Sequence, residues 1–178
     1  FWAVSKVRKA CQCKKVGHAG TLDPLATGVL VVGIGQATKI LGDIMLFEKQ
    51  YAGIIKLGSV TDTDDAEGKI LDEKPVPPIS MADGDWSRGV FTGDIQQKPP
   101  RYSAVKINGE RAYKKARRGE TFQVKTRQVH IYELNLLHYS PGTNEANIRV
   151  RCAKGTYIRS LARDIGEALG CGAHLKSL

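Results

Sequence analysis

The chain has 178 residues, 42% hydrophobic and 25% charged, with 27 Lys and Arg against 18 Asp and Glu for a formal charge of +9. That length and balance suit one globular domain with a sizeable core, and they exclude a disordered basic tail, a collagen-like repeat and a coiled coil. The positive surplus favours a polyanionic partner, whereas the longest apolar run, residues 29–34, is far shorter than the roughly 20 residues that cross a bilayer, so no membrane partner is expected.

The opening residues, FWAVSKVRKACQCKK, are basic but lack the uninterrupted apolar segment and small-residue cleavage site of a secretory leader. A soluble intracellular protein is expected, cytoplasmic or, in a eukaryote, of an organellar matrix. Cys11, Cys13, Cys152 and Cys171 match neither a zinc ribbon nor a dense disulfide framework and are read as reduced thiols. His174 completes a CxxH fragment with Cys171, yet no second pair closes a tetrahedral site, so no metal is expected. Since the chain opens on Phe1 rather than Met, it reads as a piece of something longer.

Residues 17–30, GHAGTLDPLATGVL, combine three glycines with an Asp-Pro step. Gly17, Gly20 and Gly28 permit tight turns and close ligand approach, and Pro24 pushes Asp23 toward an extended conformation. An acid is thereby presented on a shaped loop ahead of an apolar strand. The same residues, taken alone, also suit a plain turn with an Asx-type hydrogen bond. Residues 29–35 (VLVVGIG) and 51–58 (YAGIIKLG) are Gly-bounded and apolar, as buried strands are. GIGQAT at 33–38 has Thr38 where a dinucleotide fingerprint wants Gly or Ala, and Gly53 stands about where its ribose-binding acid belongs, so that reading is set aside.

Residues 61–73, TDTDDAEGKILDE, carry six acids and one Lys. Asp62, Asp64 and Glu73 fit a calcium loop, but Ala66 fills the fifth place and Gly68 comes one place late, so a polar turn leading into a short strand at 69–71 is expected. Residues 98–118, KPPRYSAVKINGERAYKKARR, hold eight Lys and Arg against one Glu, a net +7. Tyr102 and Tyr113 interleave with these cations, which suits a surface that neutralises phosphates and offers rings to unpaired bases; a solvated helix-and-loop face would read the same way. Residues 147–152 alternate Ile148, Val150 and Cys152 with polar partners, a half-buried strand. From Thr156 onward Ile158, Leu161, Ala162, Ile165 and Leu169 recur at helical spacing, with Thr156 placed to cap the helix and Gly170 to end it. Strand runs with few helices between them favour an α+β domain.

GHAGTLDPLATGVL closely resembles the catalytic motif of the TruB family of pseudouridine synthases. KQYAGIIKLGSVTDTDDAEG at 49–68, QKPPRYSAVKINGERAYKKARRG at 97–119 and AKGTYIRSLARDIGEALGCGAHLKSL at 153–178 resemble further segments of that family, in the right order and over most of the chain. The resemblance implies a mixed, mainly antiparallel sheet flanked by helices, with residues 1–178 forming a catalytic domain. The family's opening strand and any small C-terminal RNA-binding domain would lie outside it.

It further implies isomerisation of a uridine in the T-loop of tRNA, at position 55, by a monomer acting on the T-stem-loop. Asp23 corresponds to the catalytic aspartate, His18 lies near the flipped nucleotide and Tyr51 stacks on the target base. Tyr157, Arg159 and Leu178 match further pocket residues, the arginine pairing with the aspartate. Arg101, Lys106, Arg111, Lys114, Lys115, Arg117 and Arg118 are the expected RNA contacts. Substrate and product are isomers, so neither ATP nor a redox cofactor is required, and none is expected. A guide-RNA-dependent synthase and an RNA chaperone on the same fold are the alternatives.

Overall fold

The computed structural model describes residues 2–79 and 91–178. Two compact units make up the chain, Phe1–Glu48 and Lys49–Leu178.

The first unit holds helix α1 (Trp2–Ala10), strands β1 (Val16–His18) and β2 (Val32–Ile34), a 3-10 helix over Gly35–Ile40 and the one-turn helix α2 (Leu41–Ile44). β1 and β2 form an antiparallel pair in which Gly17 faces Gly33. A methyl group on Gly17 would stand 2.9 Å from Leu41 Cδ1, and one on Gly33 would stand 2.9 Å from the Ala37 carbonyl oxygen. The two glycines thus let the 3-10 helix and Leu41 lie directly on the hairpin. Within GIGQAT, Gly33 serves this packing and Gly35 takes a φ of +59° at the start of the 3-10 helix. The strand expected over 29–35 shrinks to three residues, and Val29 is 86% exposed, so an apolar run here does not mark a buried strand.

In the second unit five strands form one antiparallel sheet in the order β11-β3-β10-β9-β6. They are β3 (Lys49–Leu57), β6 (Gly93–Gln97), β9 (Arg127–Ser140), β10 (Glu145–Cys152) and β11 (Ala173–Ser177). Short strands pair apart from it in two hairpins: β4 (Ser59–Thr61) with β5 (Ile70–Glu73), and β7 (Lys106–Ile107) with β8 (Glu110–Arg111), which leads into helix α3 (Ala112–Arg117). The period-two pattern read for 147–152 is present, with Ile148, Val150 and Cys152 buried beside Ile55, Leu57, Ile131 and Leu175.

Helix α4 (Ile158–Ala168) covers this apolar face with Ile158, Leu161, Ala162 and Ile165. Its end follows expectation, since Gly170 takes a φ of +76°. Its start does not: the Thr156 hydroxyl donates to the Ala153 carbonyl at 3.0 Å, and Tyr157 occupies the cap position without a side-chain cap. The edge strand β11, which follows α4 after a short turn, is an element that the helical periodicity did not announce.

Cys11, Cys13, Cys152 and Cys171 are free, and burial pushes the Cys152 and Cys171 thiols up, which keeps them protonated and unreactive. The buried His174 ring is bonded to Ser59. Among the described residues no helix is long and apolar enough to cross a membrane, and no group of three or more His, Cys, Asp or Glu is placed to hold a metal ion.

Candidate active site

Residues 17–30 span the end of β1 and most of the loop, 19–31, that connects it to β2. His18 ends β1 opposite Val32, and its Nδ1 contacts the Gly20 carbonyl. The Ala19 N–H donates to the Val31 carbonyl at 2.9 Å, closing the base of the loop. At its tip the Ala26 N–H donates to the Asp23 carbonyl at 2.9 Å, a turn with Pro24 in the position that its fixed φ favours. Gly20 and Gly28 take φ values of +136° and +124°, which side chains rarely adopt, so the glycine spacing has a backbone cause. Asp23 itself is half-buried.

In the second unit Tyr51 lies near the start of β3, on the same face as Gly53, Ile55 and Leu57, because side chains alternate along a strand. A methyl group on Gly53 would come within 3.0 Å of the Ser177 carbonyl and 3.2 Å of Leu178 Cδ1. That glycine makes room for the final residues against β3. Tyr157 immediately precedes α4, and the Arg127 guanidinium lies over its ring, 5.5 Å from the centroid.

Arg159 sits in the first turn of α4 and is 5% exposed. Its Nη1 meets Asp65 Oδ2 at 3.3 Å and the Thr63 carbonyl at 3.2 Å, while Nη2 donates to the Tyr102 carbonyl at 3.1 Å. Asp65, 3% exposed, also accepts the Thr63 hydroxyl at 2.6 Å and the Glu67 N–H at 3.1 Å. A carboxylate so buried needs this many donors to offset its lost hydration.

One helical turn on, Arg163 Nη1 donates to Asp64 Oδ2 at 2.9 Å and Nη2 donates to the Lys98 carbonyl at 2.9 Å. Burial pushes the Asp64 carboxyl up, against the pull of Arg163 and Arg159. The two arginines therefore each grip the acidic turn with one nitrogen and the 98–102 segment with the other.

The acidic run read as a polar turn is thus a turn whose two adjacent aspartates serve α4. Asp65, beneath Arg159, and Gln97, whose side-chain amide bonds the Tyr157 N–H and carbonyl, are the partners that sequence reasoning missed; the available signals were an acidic surplus and a glutamine ahead of Lys98-Pro99-Pro100. Ser103 Oγ, buried one residue after Tyr102, has no hydrogen-bond partner among the described residues.

The basic segment is less uniformly available than its charge suggests. Arg118 makes a bidentate pair with Glu110, both contacts at 2.7 Å, and reaches Glu120 at 2.7 Å; Lys115 bonds Glu120 at 2.9 Å. Hydrogen bonds from Arg118 hold the Glu110 carboxyl below its ordinary range, and those from Lys115 and then Arg118 do so for Glu120. Arg101 donates to the Glu120 carbonyl at 2.8 Å and lies over Phe122, and Arg117 lies over Tyr113. Lys106, Arg111 and Lys114 are exposed and make no ion pair among the described residues.

The family model for TruB family pseudouridylate synthase (N terminal domain) matches residues 8–158. The chain is 49% identical over 175 residues to a protein of Prochlorococcus marinus (strain NATL1A) named tRNA pseudouridine synthase B, covering 98% of this chain and 55% of that one. It is likewise 49% identical over 181 residues to the protein of that name from Thermobifida fusca (strain YX), covering 98% of this chain and 62% of that one. The chain thus spans little more than half the length of these relatives.

Among solved structures, a chain of a Cbf5-Nop10-Gar1 complex superposes with a TM-score of 0.70 at 29% identity, covering 98% of this chain and 42% of that one. A chain from an H/ACA RNP bound to a substrate RNA containing 2'-deoxyuridine gives a TM-score of 0.67 at 26% identity, covering 99% and 41%. With a family model spanning most of its length and near-half identity to these relatives, the chain belongs to the TruB family of pseudouridine synthases.

Proposed function

We propose that the protein to which this chain belongs isomerises uridine to pseudouridine in the T-loop of tRNA. The observation that carries the reading is 49% identity, over 98% of the chain, to proteins named tRNA pseudouridine synthase B. A uridine in a structured loop hides C5 and C1′, so it must be unstacked at a cost of a few kcal/mol and received on an aromatic surface. Tyr51 is assigned that surface, with Tyr157 and Leu178 as further walls and His18 near the extruded nucleotide.

Asp23 is assigned the chemistry: its carboxylate attacks the nucleoside or otherwise assists departure of the base. The C1′–N1 bond breaks, the base turns in the closed pocket, a C1′–C5 bond forms, the C5 proton leaves and N1 takes one up. Atoms and electrons balance without an added reactant. Arg159 is assigned, by the family resemblance, to pair with that aspartate. The exposed cations of residues 101–118 are assigned to tRNA phosphates.

The test incubates the intact protein, without a guide RNA, with unmodified tRNA and with tRNA whose T-loop uridine is replaced by cytidine, and then maps pseudouridine chemically. Product in the first RNA at that uridine alone is expected, and its absence overturns the reading. A guide-dependent synthase is the second reading, favoured only by the structural likeness to the H/ACA and Cbf5 complexes, and product that appears only with a guide would select it. Asp23→Asn is expected to abolish turnover while tRNA affinity stays within about twofold, as a group acting in the transition state does.

A further inference from the structure

Gln97 ends β6, and its side chain is fully buried. Its Oε1 accepts the Tyr157 N–H at 2.8 Å, and its Nε2 donates to the Tyr157 carbonyl at 3.1 Å. Both ends of one amide therefore engage the two polar groups of one residue 60 positions away. The N–H belongs to the peptide before Tyr157 and the carbonyl to the peptide after it. Holding both fixes the rotation of the residue about its Cα, and with it the direction in which the ring leaves the backbone.

Tyr157 has an extended backbone, φ −105° and ψ 112°, ahead of a helix that no side chain caps. An uncapped entry leaves the first turn free to fray or tilt unless something else holds it. Gln97 is positioned to do this, and the segment that follows it continues the grip: the Ser160 hydroxyl donates to the Lys98 carbonyl at 2.8 Å, and Arg159 reaches the Tyr102 carbonyl. Pro99 and Pro100, both fully buried, stiffen that segment.

We propose that Gln97 is a positioning residue of the uridine pocket: by clamping both backbone groups of Tyr157 it sets the direction of the Tyr157 ring and the entry of α4 from which Arg159 projects. The consequence for turnover rests on the isomerase reading above; the clamp itself does not. A role limited to satisfying backbone groups is separated from positioning by Ser160, which bonds the same segment to the same helix one turn further on.

Gln97→Met and Ser160→Ala are compared in the intact protein for Tm, tRNA affinity, single-turnover rate at saturating tRNA and hydrogen exchange at the Tyr157 amide. Gln97→Met is expected to slow the single-turnover step roughly 10- to 100-fold, the scale of a misplaced reacting geometry, with tRNA affinity within about twofold. Ser160→Ala is expected to lower Tm comparably and leave that step unchanged. Equal rates in the two variants, or a slowing that merely tracks Tm, overturns the proposal.

Gln97→Glu supplies a form that keeps the side-chain volume. Protonated, it offers the same donor and acceptor, and burial favours the protonated form, so its rate relative to wild type is expected to climb as pH falls from about 8 to 5. A flat ratio counts against positioning. Should the wild type form no pseudouridine, the isomerase reading fails, and exchange decides the clamp alone. Tyr157 amide protection that disappears in Gln97→Met and persists in Ser160→Ala supports it, whereas equal protection in both overturns it.

Discussion

Two arginine–carboxylate networks of similar make-up stand in this molecule under opposite conditions. Arg159 and Arg163 meet Asp65 and Asp64 against the sheet, the Arg159–Asp65 side chains being 6% and 4% exposed. Arg118 and Lys115 meet Glu110 and Glu120 in water, the Arg118 side chain being 50% exposed. The solvated Arg118–Glu110 pair is shorter than the buried Arg159–Asp65 pair, 2.7 Å against 3.3 Å, and is worth less to stability, because water competes for each of its groups. Contact length is thus a poor guide to consequence. In the buried network every unmatched charge is costly, so it fixes geometry; in the exposed one pairing mainly decides how many cations are left for a ligand.

The sharpest way to break this contrast is to remove one buried partner. Arg159→Met strands the Asp65 carboxylate in the core and is expected to cost about 3–5 kcal/mol, a fall in Tm on the order of 10 °C, with pseudouridine formation abolished. Adding Asp65→Asn removes the stranded charge and is expected to recover much of the Tm without recovering turnover. Calorimetry and single-turnover assays on the pair decide the matter. Recovery of both would make the arginine merely structural, and recovery of neither would mean that the two residues do not offset one another.

Arg163→Met is expected to have a smaller effect of the same kind, roughly 1–3 kcal/mol, since its side chain is 16% exposed and water can enter beside Asp64. Burial already disposes the Asp64 carboxyl toward its neutral form, so the charge left behind is more easily extinguished. A loss in Tm equal to that of Arg159→Met would erase the distinction between the two arginines.

The exposed network is tested through salt. Replacing Lys106, Arg111 or Lys114 by Met is expected to weaken tRNA binding and to flatten the slope of log affinity against log salt by about one for each phosphate no longer neutralised. Arg118→Met is expected to change that slope less, because its charge is already matched by Glu110 and Glu120. Filter binding at a series of salt concentrations measures both, and equal slopes for Lys114→Met and Arg118→Met would show that pairing withholds nothing from the RNA.

What the sequence discloses follows the same divide between local and long-range causes. Helix α4 was legible because Ile158, Leu161, Ala162 and Ile165 repeat at the helical period, and β10 because Ile148, Val150 and Cys152 alternate. Both patterns are local consequences of one buried face. The motif around Asp23 was legible by resemblance, and its glycines by the backbone they permit.

Gln97 was not legible, since its burial depends on β6 pairing with β9 in a register that sets Gln97 opposite Arg127. Nor could the run TDTDDAEG say that Asp65 rather than Asp62 lies beneath Arg159. That choice depends on Asp64 turning to a φ of +61°, which sends neighbouring carboxylates in different directions. Charge counting over 98–118 failed in a third way: the acid that occupies Lys115 and part of Arg118 is Glu120, two residues past the stretch.

Acid separates the two networks with the smallest expected signal. Glu110 and Glu120 sit below the ordinary value of 4.5, so their contribution to the folded state is complete above that value and is lost as pH falls through their lowered values. Asp64 is displaced the other way, above 3.8, because burial favours its protonated form; acidification through that window therefore adds to the stability of the folded state at this site. Amide exchange followed from pH 6 down to about 3 is expected to show α3 and the β7–β8 hairpin losing protection while the turn of α4 around Arg163 keeps it. Simultaneous loss in both places would mean that the networks respond as one unit, and that burial of the arginine clasp does not insulate it from the charge state of the surface.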